Sequence, residues 1–245
     1  MAAGPQFIDD LVKRCCDDFE WVEQLTNAGP VLQLESTDGA DAGYVRLWQA
    51  NNSPRLDRMV HIRLIAGPVE TQLFFVFGLE NHSLPHFHAQ VVEFPPDGCV
   101  YNVDLVPRLD AAYHQDYLQT AFKPLSKPYH RATNSTENTC SRALMNPLMA
   151  AYLSPWGIVS HRTDIAEFER VRPQIEAYLD HYLHLCASLD YADASPDELS
   201  GRCKAHLDCF LDDNLDPRAW KGVYSVVGEP VGQAIKTILR TPLRG

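Results

Sequence analysis

The chain has 245 residues, 45% of them hydrophobic and 22% charged, with a formal net charge of -11. That composition predicts one soluble α+β domain over residues 1–245, with a sizeable core. The acidic balance argues against general nucleic-acid binding, since a phosphate backbone repels it, and no run approaches the roughly 18 apolar residues that span a bilayer.

Residues 1–20 carry Asp9, Asp10, Asp17 and Asp18 and no apolar core segment, so they read as neither a secretory signal nor a transit peptide. Seven cysteines lack any C-x-x-C pair and fall mostly on apolar faces. This predicts buried thiols in a reducing, cytoplasmic setting.

Phe7, Ile8, Leu11, Val12, Cys15 and Phe19 recur at helical spacing and predict a helix within residues 5–27. Strand-like runs follow at 31–34, 43–50, 58–65, 72–79, 85–94 and 99–106. The links between them are mostly too short for helical crossovers, which predicts an antiparallel meander of about six strands. A helix is expected over 110–120, then a loop over 121–147 carrying Lys123, Lys127, Arg131 and Arg142, and one more strand over 152–161. The last 80 residues read as helices. The first runs over 165–188 behind Asp164, with Pro173 inside it. The second starts at Pro196 behind Ser195 and runs to about Leu211. A single final helix is expected from Arg218 to Leu239.

The stretch Leu84-Pro85-His86-Phe87-His88-Ala89-Gln90-Val91-Val92-Glu93 alternates strictly. Its polar members His86, His88 and Gln90 share one strand face while Phe87, Ala89 and Val91 share the other. His61 and Arg63 also share a face and are expected on the same wall. Histidine exchanges protons near neutral pH, so this wall is a candidate pocket floor, the alternative being a wetted outer strand. Asp213 and Asp216 lie in an acidic cluster before the final helix. There Asp216 can cap the helix or, facing a pocket, exchange protons. His86-x-His88 with Glu93, and Trp156-Gly157 with His161, echo the two motifs of cupin-type metal oxygenases. Glu93, however, is an odd number of residues from both histidines, which puts it on the other face. There is no G-x-G-x-x-G, P-loop or G-x-S-x-G.

Five segments, in order, resemble the ferredoxin-dependent bilin reductases and the red chlorophyll catabolite reductases. Arg58-Met59-Val60-His61-Ile62-Arg63-Leu64 is similar to R-x-x-H-x-E-L. Leu84-Pro85-His86-Phe87-His88-Ala89-Gln90 is similar to L-P-x-F-x-x-D/E. Asp104-Leu105-Val106-Pro107 matches D-L-x-P, and Ser154-Pro155-Trp156 matches S-P-W. Asp216-Pro217-Arg218 with Gly228-Glu229 resembles D-P-x-R…G-E. The resemblance implies a three-layer α/β/α sandwich with a central, mainly antiparallel sheet. It implies binding of a linear tetrapyrrole such as biliverdin between sheet and C-terminal helices, and the chain is expected to be a monomer. Reduction would proceed through radical intermediates, with external ferredoxin as electron donor and no tightly bound cofactor or metal. By the same resemblance Asp216, His88, His86 and, as a fallback, Asp213 would supply protons, and Gln90, His61, Arg63 and Arg142 would hold the substrate. Two family carboxylates fall on Gln90 and Arg63, neither of which is an acid. The resemblance therefore leaves open reduction through His86, His88 and Asp216, reduction at another position, or binding without reduction.

Overall fold

The structure, a computed structural model, describes residues 3–27, 29–135, 147–160, 162–189, 194–214 and 217–244. Alternating apolar runs build the central strands: β1 (Trp21–Glu23), β2 (Leu32–Glu35), β3 (Asp41–Ala50), β4 (Leu56–Ala66), β5 (Val69–Gly78), β6 (His86–Phe94) and β7 (Gly98–Val106). With β8 (Ile158–Val159) and β9 (Thr163–Asp164) they form one antiparallel sheet in the order β1-β3-β4-β5-β6-β7-β8, β2 pairing also with β3 and β9 with β7.

Two cores cover the two faces. On one, Met59, Phe74, Phe87, Ala89, Tyr101 and Val103 meet α1 (Ala3–Asp18), α3 (Ser126–Ser135) and α5 (Ile165–Ser188). On the other, Val60, Ile62, Leu64, Phe75 and Phe77 meet α6 (Pro196–Phe210), α7 (Pro217–Val227) and α8 (Glu229–Arg240). This is the expected three-layer α/β/α sandwich. None of the described helices is long and apolar enough to cross a membrane.

The caps expected for two helices are present: Asp164 accepts from Glu167 N at 2.7 Å and Ser195 from Glu198 N at 3.1 Å. Four expectations are corrected. The first helix ends at Asp18, because Trp21–Glu23 pairs with β3 and Trp21 Nε1 bonds Cys15 O at 3.0 Å. Helix replaces coil before residue 136: Gln115–Tyr117 (α2) runs through a π turn at Leu118–Phe122 and a 3-10 turn at Lys123–Leu125 into α3. Lys123, Lys127 and Arg131 occupy its exposed side while Phe122, Leu125 and Ala132 are buried, a half-polar pattern easily mistaken for loop. The strand expected over 152–161 shrinks to β8, since α4 (Pro147–Tyr152) precedes it and Gly157 N closes a turn onto Ser154 O at 3.2 Å. The final helix is two, because Gly228 sits at φ +82° and Pro230 follows at the start of the second helix.

Gly43, in β3, has φ +112°, and a Cβ there would stand 2.1 Å from Arg63 O. Gly43→Ala is therefore expected to destabilise by about 1–3 kcal/mol, read as a lower denaturant midpoint at unchanged slope; an unchanged midpoint would show that β3 and β4 can separate freely.

Candidate functional site

Strand pairing sets the site. Across β4 to β7 the partners Val60, Phe75, His88 and Asp104 form one rung, and Ile62, Leu73, Gln90 and Asn102 form the next. Paired residues share a face, and this face looks toward α6–α8. Between them lies a cavity of about 720 Å³, walled by sheet residues including Leu64, Leu73 and Val92, by Met149 and Leu153 at α4, by Phe210, and by Trp220, Val223, Ile235 and Leu239 of the last two helices. Its size falls in the roughly 300–1,000 Å³ range of small-molecule and cofactor pockets. Its lining is mainly apolar, and His88, Gln90, Asn102 and Asp104 bring polar groups together on the sheet wall.

His88 is 6% exposed. Its ring stacks on Phe75 at 4.5 Å and meets Phe210 edge-on at 5.4 Å. Nε2 is buried without a partner, and burial lowers its pKa from 6.5 to about 3. It is a neutral imidazole with unspent hydrogen-bonding capacity. Gln90 Oε1 accepts from Asn102 Nδ2 at 2.9 Å. Asp104 accepts from Ser154 N at 2.7 Å and from Ser154 Oγ, tying the Ser154-Pro155-Trp156 turn to the cavity wall.

The other expected site residues are placed differently. His61 and Arg63 are corrected: His61 pairs with Phe74 and, through it, with Ala89, so both residues point to the opposite face. There His61 Nε2 lies 2.7 Å from Gln72 Oε1, and Arg63 pairs with Glu70 at 2.7 Å. His86 shares the face of His88 but is drawn into the interior beneath α6. Gly78 N donates to its Nδ1 at 3.1 Å, and Nε2 lies 3.5 Å from Cys203 Sγ and 3.4 Å from Arg108 Nη1. Burial first, then the charge of Arg108, pushes its pKa well down. Asp213 is exposed outside the cavity lining, where it accepts from Lys236 Nζ at 2.5 Å and Tyr224 Oη at 2.7 Å. Asp216, Arg142 and His161 lie outside the described residues. Glu93 pairs with Glu70 and Cys99 on the face away from His88, so the cupin-like ligand set does not converge. No group of three or more His, Cys, Asp or Glu side chains suited to a metal occurs among the described residues.

Sequence reasoning missed Asn102, Phe210 and Trp220 as walls, and His206. His206 stands with Leu199 and Leu207 on the buried side of α6, where it reads as one more core position. Its pKa too is lowered to about 3, chiefly by burial. Below pH 6.5 the unfolded chain protonates His88 and His206 while the folded chain keeps them neutral down to about 3. The unfolded state then binds more protons, so stability is expected to fall with acidification across that window. The slope approaches about 1.4 kcal/mol per pH unit for each histidine. Denaturation midpoints at pH 7, 6 and 5 measure it; a flat series would mean both rings are solvated.

A three-layer α/β/α sandwich holding a large apolar cavity between its antiparallel sheet and its last helices is the class that fold and site define. Among solved structures the chain is similar to phytochromobilin synthase from tomato in complex with biliverdin, with a TM-score of 0.76, 14% identity, and coverage of 96% of this chain and 82% of that one. The likeness establishes a shared fold, the one implied by the resemblance to bilin reductases. No family model and no curated protein sequence matches the chain.

Proposed function

We propose that the chain binds an open-chain tetrapyrrole of the biliverdin type in this cavity and reduces it with electrons from ferredoxin. The observation that carries the reading is the cavity itself: about 720 Å³, mainly apolar, with an unpartnered imidazole on its wall, in a fold shared with a biliverdin-bound synthase. A flat conjugated ligand suits apolar walls with a few placed polar groups.

Reducing one double bond takes two electrons and two protons. Two reduced ferredoxins would each give one electron, and two protons from solvent would reach the pigment, one through His88 on the sheet wall, protonated as the electron arrives, and one through Asp216 before α7. Gln90 and Asn102 would hold pyrrole or lactam groups. His86 and Asp213 drop to supporting roles, because the first is engaged with Gly78, Cys203 and Arg108 and the second with Lys236 and Tyr224. His61 and Arg63 act only through the sheet.

A second reading is binding without reduction. The neutral Gln90 favours it, as does the engagement of Asp104 by Ser154, which together leave the sheet wall without an uncommitted carboxylate among the described residues. Anaerobic incubation with biliverdin, ferredoxin and a reducing system separates the two. Reduction shows as loss of the bound pigment's long-wavelength band and appearance of a blue-shifted product. A bound pigment that stays unchanged supports the second reading, and no bound pigment removes both.

A further inference from the structure

We propose that Gln90 and Asn102 form a paired amide edge that recognises a neutral lactam of the ligand; this rests on the tetrapyrrole reading above and names the part of the pigment that the cavity reads. The two residues are partners across β6 and β7, share one face, are partly exposed, and both line the cavity. Asn102 Nδ2 donates to Gln90 Oε1 at 2.9 Å. That bond uses one end of each amide and leaves the Gln90 N–H groups and the Asn102 carbonyl oxygen for a ligand, one set of donors and one acceptor.

A lactam presents an N–H and a C=O on the same edge of one ring. It is complementary to such a pair, donating to the acceptor and accepting from the donor. The match does not depend on how the amides are turned. If both are rotated by half a turn, Gln90 Nε2 donates to Asn102 Oδ1, and an acceptor and a donor remain in reversed order. A carboxylate at either position would offer acceptors alone and would favour a protonated, N–H-rich edge. Two neutral amides favour the uncharged ring. The acid in the described lining, Asp104, sits one rung away and already accepts from Ser154 N and Oγ, so it is not the group that meets this edge. His88 stands two residues along β6, roughly 7 Å away at the usual strand rise, so a flat ligand held by its lactam edge passes over the imidazole.

The test is an absorbance titration of the full chain with biliverdin and with its lactim ether, in which O-methylation removes the N–H and converts the carbonyl to an ether. The wild-type chain is expected to bind biliverdin at least about tenfold more tightly, the scale on which a buried polar group left unpaired is felt. The Gln90→Leu/Asn102→Leu chain is expected to bind the two equally. Gln90→Glu should make the bound pigment's spectrum pH-dependent between pH 5 and 8, whereas the wild-type spectrum stays constant. Equal binding of both pigments by the wild-type chain, or discrimination that survives in the double variant, overturns the lactam assignment and leaves the tetrapyrrole reading standing. Failure of the wild-type chain to bind either pigment overturns both.

Discussion

Asp57→Ala is expected to lower the unfolding free energy by about 3–5 kcal/mol, the range for removing one partner of a buried ion pair. Asp57 is 1% and Arg58 3% exposed, and the two form a salt bridge at the start of β4. Asp57 Oδ1 also accepts from Leu243 N at 3.0 Å and Arg244 N at 2.7 Å, so it anchors the chain after α8. Arg58 in turn donates to Leu239 O at 2.5 Å and lies over the Phe77 ring at 4.0 Å. Alanine at 57 strands a guanidinium in a low-dielectric interior and frees two backbone donors. Burial already lowers the Arg58 pKa, with Asp57 opposing it, so loss of the carboxylate leaves the unfavourable contribution unopposed. Because Leu239 lines the cavity, the same change should loosen the ligand site. The double change Asp57→Ala/Arg58→Met should recover part of the loss, since it removes the unpaired charge together with its partner. Urea titration reads both effects in the midpoint at constant slope. Asp57→Ala within 1 kcal/mol of the original chain, or a double variant no better than the single, would show that the pair is solvated.

The six main strands and two of the helix starts were legible because their signals are local. Alternation marks a strand, and Asp164 or Ser195 before a helix offers a cap. The wall assignments required knowledge of partners. A two-residue turn at Gly67-Pro68 pairs Ala66 with Val69 and so places His61 opposite Phe74. The longer connection from β5 to β6, residues 79–85, leaves register free by one residue, and one residue decides the face. The observed register pairs Phe74 with Ala89, which sends His61 and Arg63 to the α1 side and His88 to the cavity. His86 shows a second limit. Its face was legible, but its burial under α6 depends on Cys203 and Arg108, which lie far from it in sequence. Asn102 was hidden for a related reason: it is one polar residue in an apolar strand, and its meaning comes from Gln90 across the ladder.

Replacing His88 by glutamine is expected to slow pigment reduction by about 10²–10⁴-fold, the usual contribution of a positioned proton donor, with biliverdin affinity within about threefold. The imidazole is neutral, since burial holds its pKa at about 3, so it is no acid at rest. Its acidity is conditional on the electron. One negative charge delivered to a pigment about 4 Å away favours imidazolium by about 4 kcal/mol at an effective dielectric of 20, roughly a thousandfold in the protonation equilibrium. Under the proposed function, electron arrival would draw a proton onto His88 and set it against the reduced ring, while premature protonation would be suppressed. Stacking on Phe75 and the edge contact with Phe210 hold the ring still through this change. Glutamine can keep a hydrogen bond to the ligand but cannot gain and pass the proton, so binding and turnover should part. Single-turnover absorbance after anaerobic photoreduction is the measurement. The original chain should slow as pH rises and imidazolium becomes harder to form, and His88→Gln should lose that dependence. Reduction by His88→Gln within tenfold of the original rate, with the pH profile intact, would remove His88 from the chemistry and leave it as part of the cavity wall.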